Sequence, residues 1–69
     1  MEQFRKNVRH LRKKKGYSLE QFARILGISR SAISQFESGC TGISLQVAMK
    51  IRDIFNTCLD DLIFKDLTK

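Results

Sequence analysis

Sixty-nine residues with a formal net charge of +6 and 42% apolar content allow one small domain and exclude a chain left disordered for want of apolar residues. No stretch approaches the ~20 apolar residues of a membrane helix and no signal-peptide pattern opens the chain, so a cytoplasmic setting is expected and membrane association is not. Cys40 and Cys58 lack C-x-x-C spacing and one His is too few for the usual zinc patterns, so both are read as reduced thiols, with no disulfide, metal or cofactor.

A chain this short buries only about 60% of its unfolded surface, so each apolar position counts. Pro is absent and the four Gly stand singly, which predicts an all-α fold with glycines at element ends. The charge is uneven. Residues 1–30 carry nine Lys/Arg against two acidic residues, and residues 31–69 carry four against five. A basic first half suggests an anionic partner, nucleic acid before a lipid surface.

Phe4, Val8 and Leu11 recur at helical spacing with charges between them, predicting a first helix over 2–15 closed by Gly16, with Lys13–Lys15 at its negative end. His10 is read as exposed, and Tyr17 as packing over the turn with its hydroxyl in water. Ser18-Leu19-Glu20-Gln21 reads as a capping box opening a helix over 19–26, with Leu19, Phe22, Ala23 and Leu26 inward and Gly27 ending it. Ser29 follows almost at once as the cap of a helix over 30–38, with Ala32, Ile33 and Phe36 on one face and Gly39 as the stop. So short a connection forces the two helices to cross steeply.

Cys40–Ile43 is a loop. Ser44 caps a helix over 45–55 whose inward side is Leu45, Ala48, Ile51 and Phe55, widened by Val47 and Ile54, and Asn56 suits a left-handed C-cap. Thr57 or Cys58 opens a short helix over 59–65 with Leu59, Leu62 and Ile63 apolar and Asp60 and Asp61 at its positive end. Residues after Asp66 are expected to fray. The buried set should include Leu11, Phe22, Ala23, Leu26, Ile33, Phe36, Ala48 and Ile51, within one domain spanning 1–69.

Between Leu19 and Phe36 each residue type meets a steric demand of two crossed helices. Phe22, Leu26, Ile28, Ile33 and Phe36 supply a shared core, Ala23 a close approach, and Gly27 a left-handed turn. Together with Leu11-Arg12, Gly16-Tyr17-Ser18, Phe36-Glu37-Ser38-Gly39 and Leu59-Asp60-Asp61-Leu62, this stretch resembles the helix-turn-helix of the Cro and phage-repressor family of bacterial and phage regulators. The resemblance runs from about Val8 to Ile63, with the motif over 18–38.

The resemblance implies a compact five-helix bundle, lambda-repressor-like, whose third helix enters the DNA major groove. It implies a homodimer on a palindromic operator; no sensor domain is visible in the sequence, so no small-molecule ligand is expected. Arg30, Ser31, Ser34 and Gln35 are the expected base-reading residues, their types suiting base edges. Ser18, Leu19, Ser29, Ser38, Gly39, Cys40, Thr41 and Lys14 are the expected phosphate or backbone contacts. Arg12 and Glu37 stand where the family often places a paired Arg and Glu.

Three departures from the family pattern matter. Leu19 replaces a Gln or Thr able to hold a phosphate, so contact there falls to backbone amides. The 40–43 loop lacks the Lys, Arg and Pro of many relatives. Cys58 replaces a common Ser, which favours Thr57 over Cys58 as the cap. Cys40 is read as a free small residue rather than a redox-sensitive thiol. Leu59, Ile63, Phe64 and Leu67 form the expected dimer patch.

The functional expectation is sequence-specific binding of double-stranded DNA and transcriptional regulation by operator occupancy, by a repressor. The alternatives are a protein-binding antitoxin or adaptor of the same fold and a controller of a restriction-modification system. A membrane-surface helix is disfavoured, because the apolar stripe of the first helix is needed for the core. No nucleophile–base pair, carboxylate pair or phosphate loop suggests an enzyme.

Overall fold

The computed structural model describes residues 2–69 as five α-helices, with no strand among them. These are α1 (Glu2–Lys14), α2 (Leu19–Leu26), α3 (Arg30–Ser38), α4 (Leu45–Phe55) and α5 (Leu59–Phe64), so the expected elements are present, α1 and α5 each ending one residue early. The caps explain the boundaries. Ser18, Ser29 and Ser44 each take the N3 amide of the helix they open, and Gln21 completes the box by accepting from the Ser18 amide. Gly27, Gly39 and Asn56 close α2, α3 and α4 in the left-handed region, at φ 75°, 87° and 48°.

One core joins all five helices. Phe4 and Val8 come from α1, Phe22, Ala23 and Leu26 from α2, Ile33 and Phe36 from α3, Val47, Ala48, Ile51 and Phe55 from α4, and Leu62 from α5. Phe4 meets Phe36 edge-on at 5.6 Å between ring centroids, and Phe22 stacks on Phe55 at 5.7 Å. Tyr17 lies over Phe22 at 6.3 Å, half-buried as its place over the turn predicts. Fully burying side chains of this size stabilises by about 1.5–3 kcal/mol each.

Several expectations are corrected. Leu11 is half-buried, one turn beyond Val8 and packed on the core from one side. His10 is likewise half-buried rather than exposed. Leu45 is 68% exposed, since it lies about 120° around α4 from Ile51, outside the buried stripe, and Val47 takes its place. Of the two candidate caps of α5, Cys58 holds the N-cap position without a side-chain bond, while the Thr57 hydroxyl donates back to Phe55 O.

The segment after α5, expected to fray, is instead tied back to α1 through Leu67. Asn7, wholly buried, accepts from Leu67 N at 2.9 Å and donates to Leu62 O and Lys65 O at 2.8 and 2.6 Å. One α1 carboxamide thereby satisfies three backbone groups of the chain's last turn and beyond, and Leu67 packs against the core.

Candidate nucleic-acid interface

The turn between α2 and α3 is built from three residues. The amides of Gly27 and Ile28 return to Arg24 O and Ala23 O, which closes α2 with its last carbonyls satisfied. Ser29 then opens α3 through Ala32 N. Lys50 of α4 adds a bond sequence reasoning missed: its Nζ donates to Leu26 O at 3.3 Å, close by Gly27. A cation on the last carbonyls of α2 also complements that helix's negative end.

With its N-terminus set by this turn, α3 divides cleanly. Ile33, Phe36 and Glu37 are buried, while Arg30, Ser31, Ser34 and Gln35 are all exposed. At 3.6 residues per turn the four exposed side chains span an arc of about 140°. They form one polar strip with a guanidinium at one end and a carboxamide at the other.

The far end of α3 is locked to α1. Arg12 grips Glu37 with two bonds, Nε to Oε2 at 2.7 Å and Nη2 to Oε1 at 3.0 Å, and its Nη1 donates to Tyr17 O at 2.7 Å. Both side chains are over nine-tenths buried. A forked pair fixes orientation as well as distance, and its worth lies more in geometry than in net stability. Arg5, absent from the sequence reading, donates Nη1 to Glu37 O at 2.8 Å. Its spacing from Arg12, seven residues or about two turns, was the available signal.

The expected backbone-contact residues fare unequally. Ser18 and Ser29 are exposed beside the helix starts they cap. Leu19 is half-buried and lines a groove of about 220 Å³ with Arg9, Arg12, Ser34, Glu37 and Ser38. The Gly39 and Cys40 amides are already committed to Phe36 O and Gln35 O, and the Ser38 hydroxyl donates to Gln35 O. The left-handed cap thus already uses the amides of Gly39 and Cys40. Thr41 stays exposed beyond the cap, and Lys14 is exposed on α1.

Of the four expected dimer residues, Leu59, Ile63 and Leu67 are half-buried against the core, and Phe64 alone stands out at 81% exposure. No group of three His, Cys, Asp or Glu residues able to hold a metal ion occurs among the described residues, and none of their helices is long and apolar enough to cross a membrane.

This geometry has relatives. The chain is 39% identical over 54 residues to a protein of Pyrococcus abyssi provisionally named an HTH-type transcriptional regulatory protein, with 78% of this chain and 17% of that one covered. A protein of Thermococcus kodakarensis with the same kind of name is 40% identical over 52 residues, covering 75% of this chain and 16% of its own length. A third such protein, from Saccharolobus islandicus, is 43% identical over 56 residues, covering 81% and 17%. The chain thus spans only about one sixth of the curated relatives it matches. Among solved structures, the N-terminal DNA binding domain of SinR from Bacillus subtilis superposes with a TM-score of 0.80 at 25% identity, covering 91% of this chain and 93% of that one. Residues 8–62, from Val8 in α1 to Leu62 in α5, match the family described as Helix-turn-helix, and the chain belongs to that family.

Proposed function

We propose that this chain binds double-stranded DNA in a sequence-specific manner through α3 and regulates transcription by occupying an operator. One observation carries the reading: the outward strip Arg30, Ser31, Ser34 and Gln35 takes no part in the core, on a helix capped by Ser29 at its start and tied to α1 near its end. Those side chains suit base edges, a planar Arg for guanine and a carboxamide for adenine. The kinship with proteins named as transcriptional regulators, and with a DNA binding domain, supports it. So does the net charge of +6, whose excess lies in residues 1–30.

Ser18, Leu19, Ser29 and Thr41 are assigned to the phosphates flanking the groove. A two-fold dimer centred on Phe64, with Leu59, Ile63 and Leu67 around it, would set two α3 helices about 34 Å apart to meet successive major grooves of a palindromic site. The setting is the cytoplasm, where the operator lies.

The experiment is duplex selection followed by binding of selected and scrambled DNA at one salt concentration. Arg30→Ala is expected to cost about 1–3 kcal/mol on the selected site and much less on scrambled DNA. Gln35→Ala should relax preference at a different base pair. Wild type that shows no preference, or variants that lose equally on all DNA, would remove base reading from α3 and favour a protein-binding role of the same fold.

A further inference from the structure

We infer that Arg9 is a direct phosphate contact of this interface, reaching from α1 into the groove it shares with the apolar Leu19 of α2. The inference rests on the DNA-binding reading above and names a residue that reading does not include.

Three observations converge on Arg9. First, it shares the groove between α1, α2 and α3 with Leu19, Ser34 and Ser38. That groove borders the polar strip of α3 at Ser34 and the start of α2 at Leu19, whose side chain offers a phosphate no hydrogen bond. Second, Arg9 is uncommitted. Arg5, Lys6, Arg12, Arg24, Arg52 and Lys69 each hold a carboxylate, whereas Arg9 is exposed and holds none among the described residues. A phosphate arriving there meets a guanidinium that need not release a partner first.

Third, the helical phase of α1 directs it to the right side. Arg12 marks the side of α1 that faces α3, and Asn7 the side that faces α5. Arg9 lies about 60° around the helix from Arg12, while Lys14 lies about 160° from Arg12 and about 20° from Asn7. Of the two cations, Lys14 therefore contributes through the general field and Arg9 by contact. Arg9 also borders a second groove on α1 with Lys6, His10 and Lys13, so the positive surface continues from α3 onto α1, as a duplex backbone passing over both requires.

The test uses the whole chain and a fluorescein-labelled random-sequence duplex a few helical turns long, since a phosphate contact is independent of sequence. Affinities for wild type, R9Q, R9K and K14Q are read across a salt series, each below its own melting transition. One lost contact removes about 0.9 from the slope of log affinity against log salt. R9Q should therefore bind about eight-fold more weakly per protomer at about 0.1 M salt, R9K should keep the wild-type slope, and K14Q should lose less than half as much as R9Q. R9Q binding like wild type, or K14Q losing as much as R9Q, overturns the assignment while leaving the DNA reading intact. Wild type that binds no duplex overturns both.

Discussion

The Asn7 carboxamide accepts a hydrogen bond from the amide of Leu67, sixty residues away in the chain, at 2.9 Å. The same side chain donates to Leu62 O and Lys65 O and accepts from Gln3 Nε2, and the residue is wholly buried. Every donor and acceptor of the amide that points inward is met, as burial in a small core demands. Asn7→Ala should cost about 1–3 kcal/mol, because it strands the backbone groups of the last turn without partners. Asn7→Asp should be no rescue, since a carboxylate cannot donate to the two carbonyls. Denaturant melts of both variants check this; a change below about 0.5 kcal/mol for Asn7→Ala would mean the tail is held by apolar packing alone.

Beyond that clasp, Asp66 holds the tail in a turn of its own. The Thr68 hydroxyl and amide both donate to its carboxylate, with help from Lys69 and Gln3. Chiefly through the Thr68 hydroxyl, these bonds stabilise the charged form and hold the Asp66 pKa below its ordinary value. A depressed pKa means the turn is fully supported above that ordinary value and lost as pH falls through the folded one. Followed by NMR, the Thr68 amide should shift on acidification with a midpoint below that of an unstructured Asp. Thr68→Val should move the midpoint upward, and a midpoint indifferent to Thr68 would dissolve the turn.

The Arg12–Glu37 pair is the most buried charge among the described residues and should behave as one unit. Arg12→Met or Glu37→Met alone leaves the opposite charge buried and unpaired, costing about 3–5 kcal/mol. A 69-residue domain has about 3–10 kcal/mol in total, so either variant should melt early or remain partly unfolded. The double substitution should cost much less than the two singles together. Thermal and urea melts of all four forms give the coupling directly, and additive costs would show the pair to be two independent contacts.

Phe64 offers a clean test of assembly because it is so little involved in its own protomer. Phe64→Asp should convert a dimer to a monomer by sedimentation yet change protomer stability by no more than about 0.5 kcal/mol. Leu67→Asp is a poorer probe, since Leu67 packs on the core and its amide serves the Asn7 clasp. A Phe64→Asp chain that remains dimeric would place the interface elsewhere.

Much of this molecule was legible in one dimension, for reasons that are local. Three serines at N-caps, glycines and an asparagine at left-handed closures, and apolar residues at helical spacing act within a few residues of themselves, so helix positions and the inward faces of α2 and α3 follow directly. The polar strip of α3 follows from the same periodicity, since whatever is not core on a short helix faces out. The Arg12–Glu37 pair was reachable only because it resembles a family pattern; its two-bond geometry comes from packing. What only the tertiary structure decided are the polar contacts between segments distant in the chain: Asn7 with the tail, Arg5 with Glu37 O, Lys50 with Leu26 O, and Arg9 beside Leu19. A polar side chain carries no mark of whether it will meet water or a carbonyl thirty or sixty residues away. That depends on where the packed core brings the backbone, and on which buried carbonyls and amides are then left without a partner.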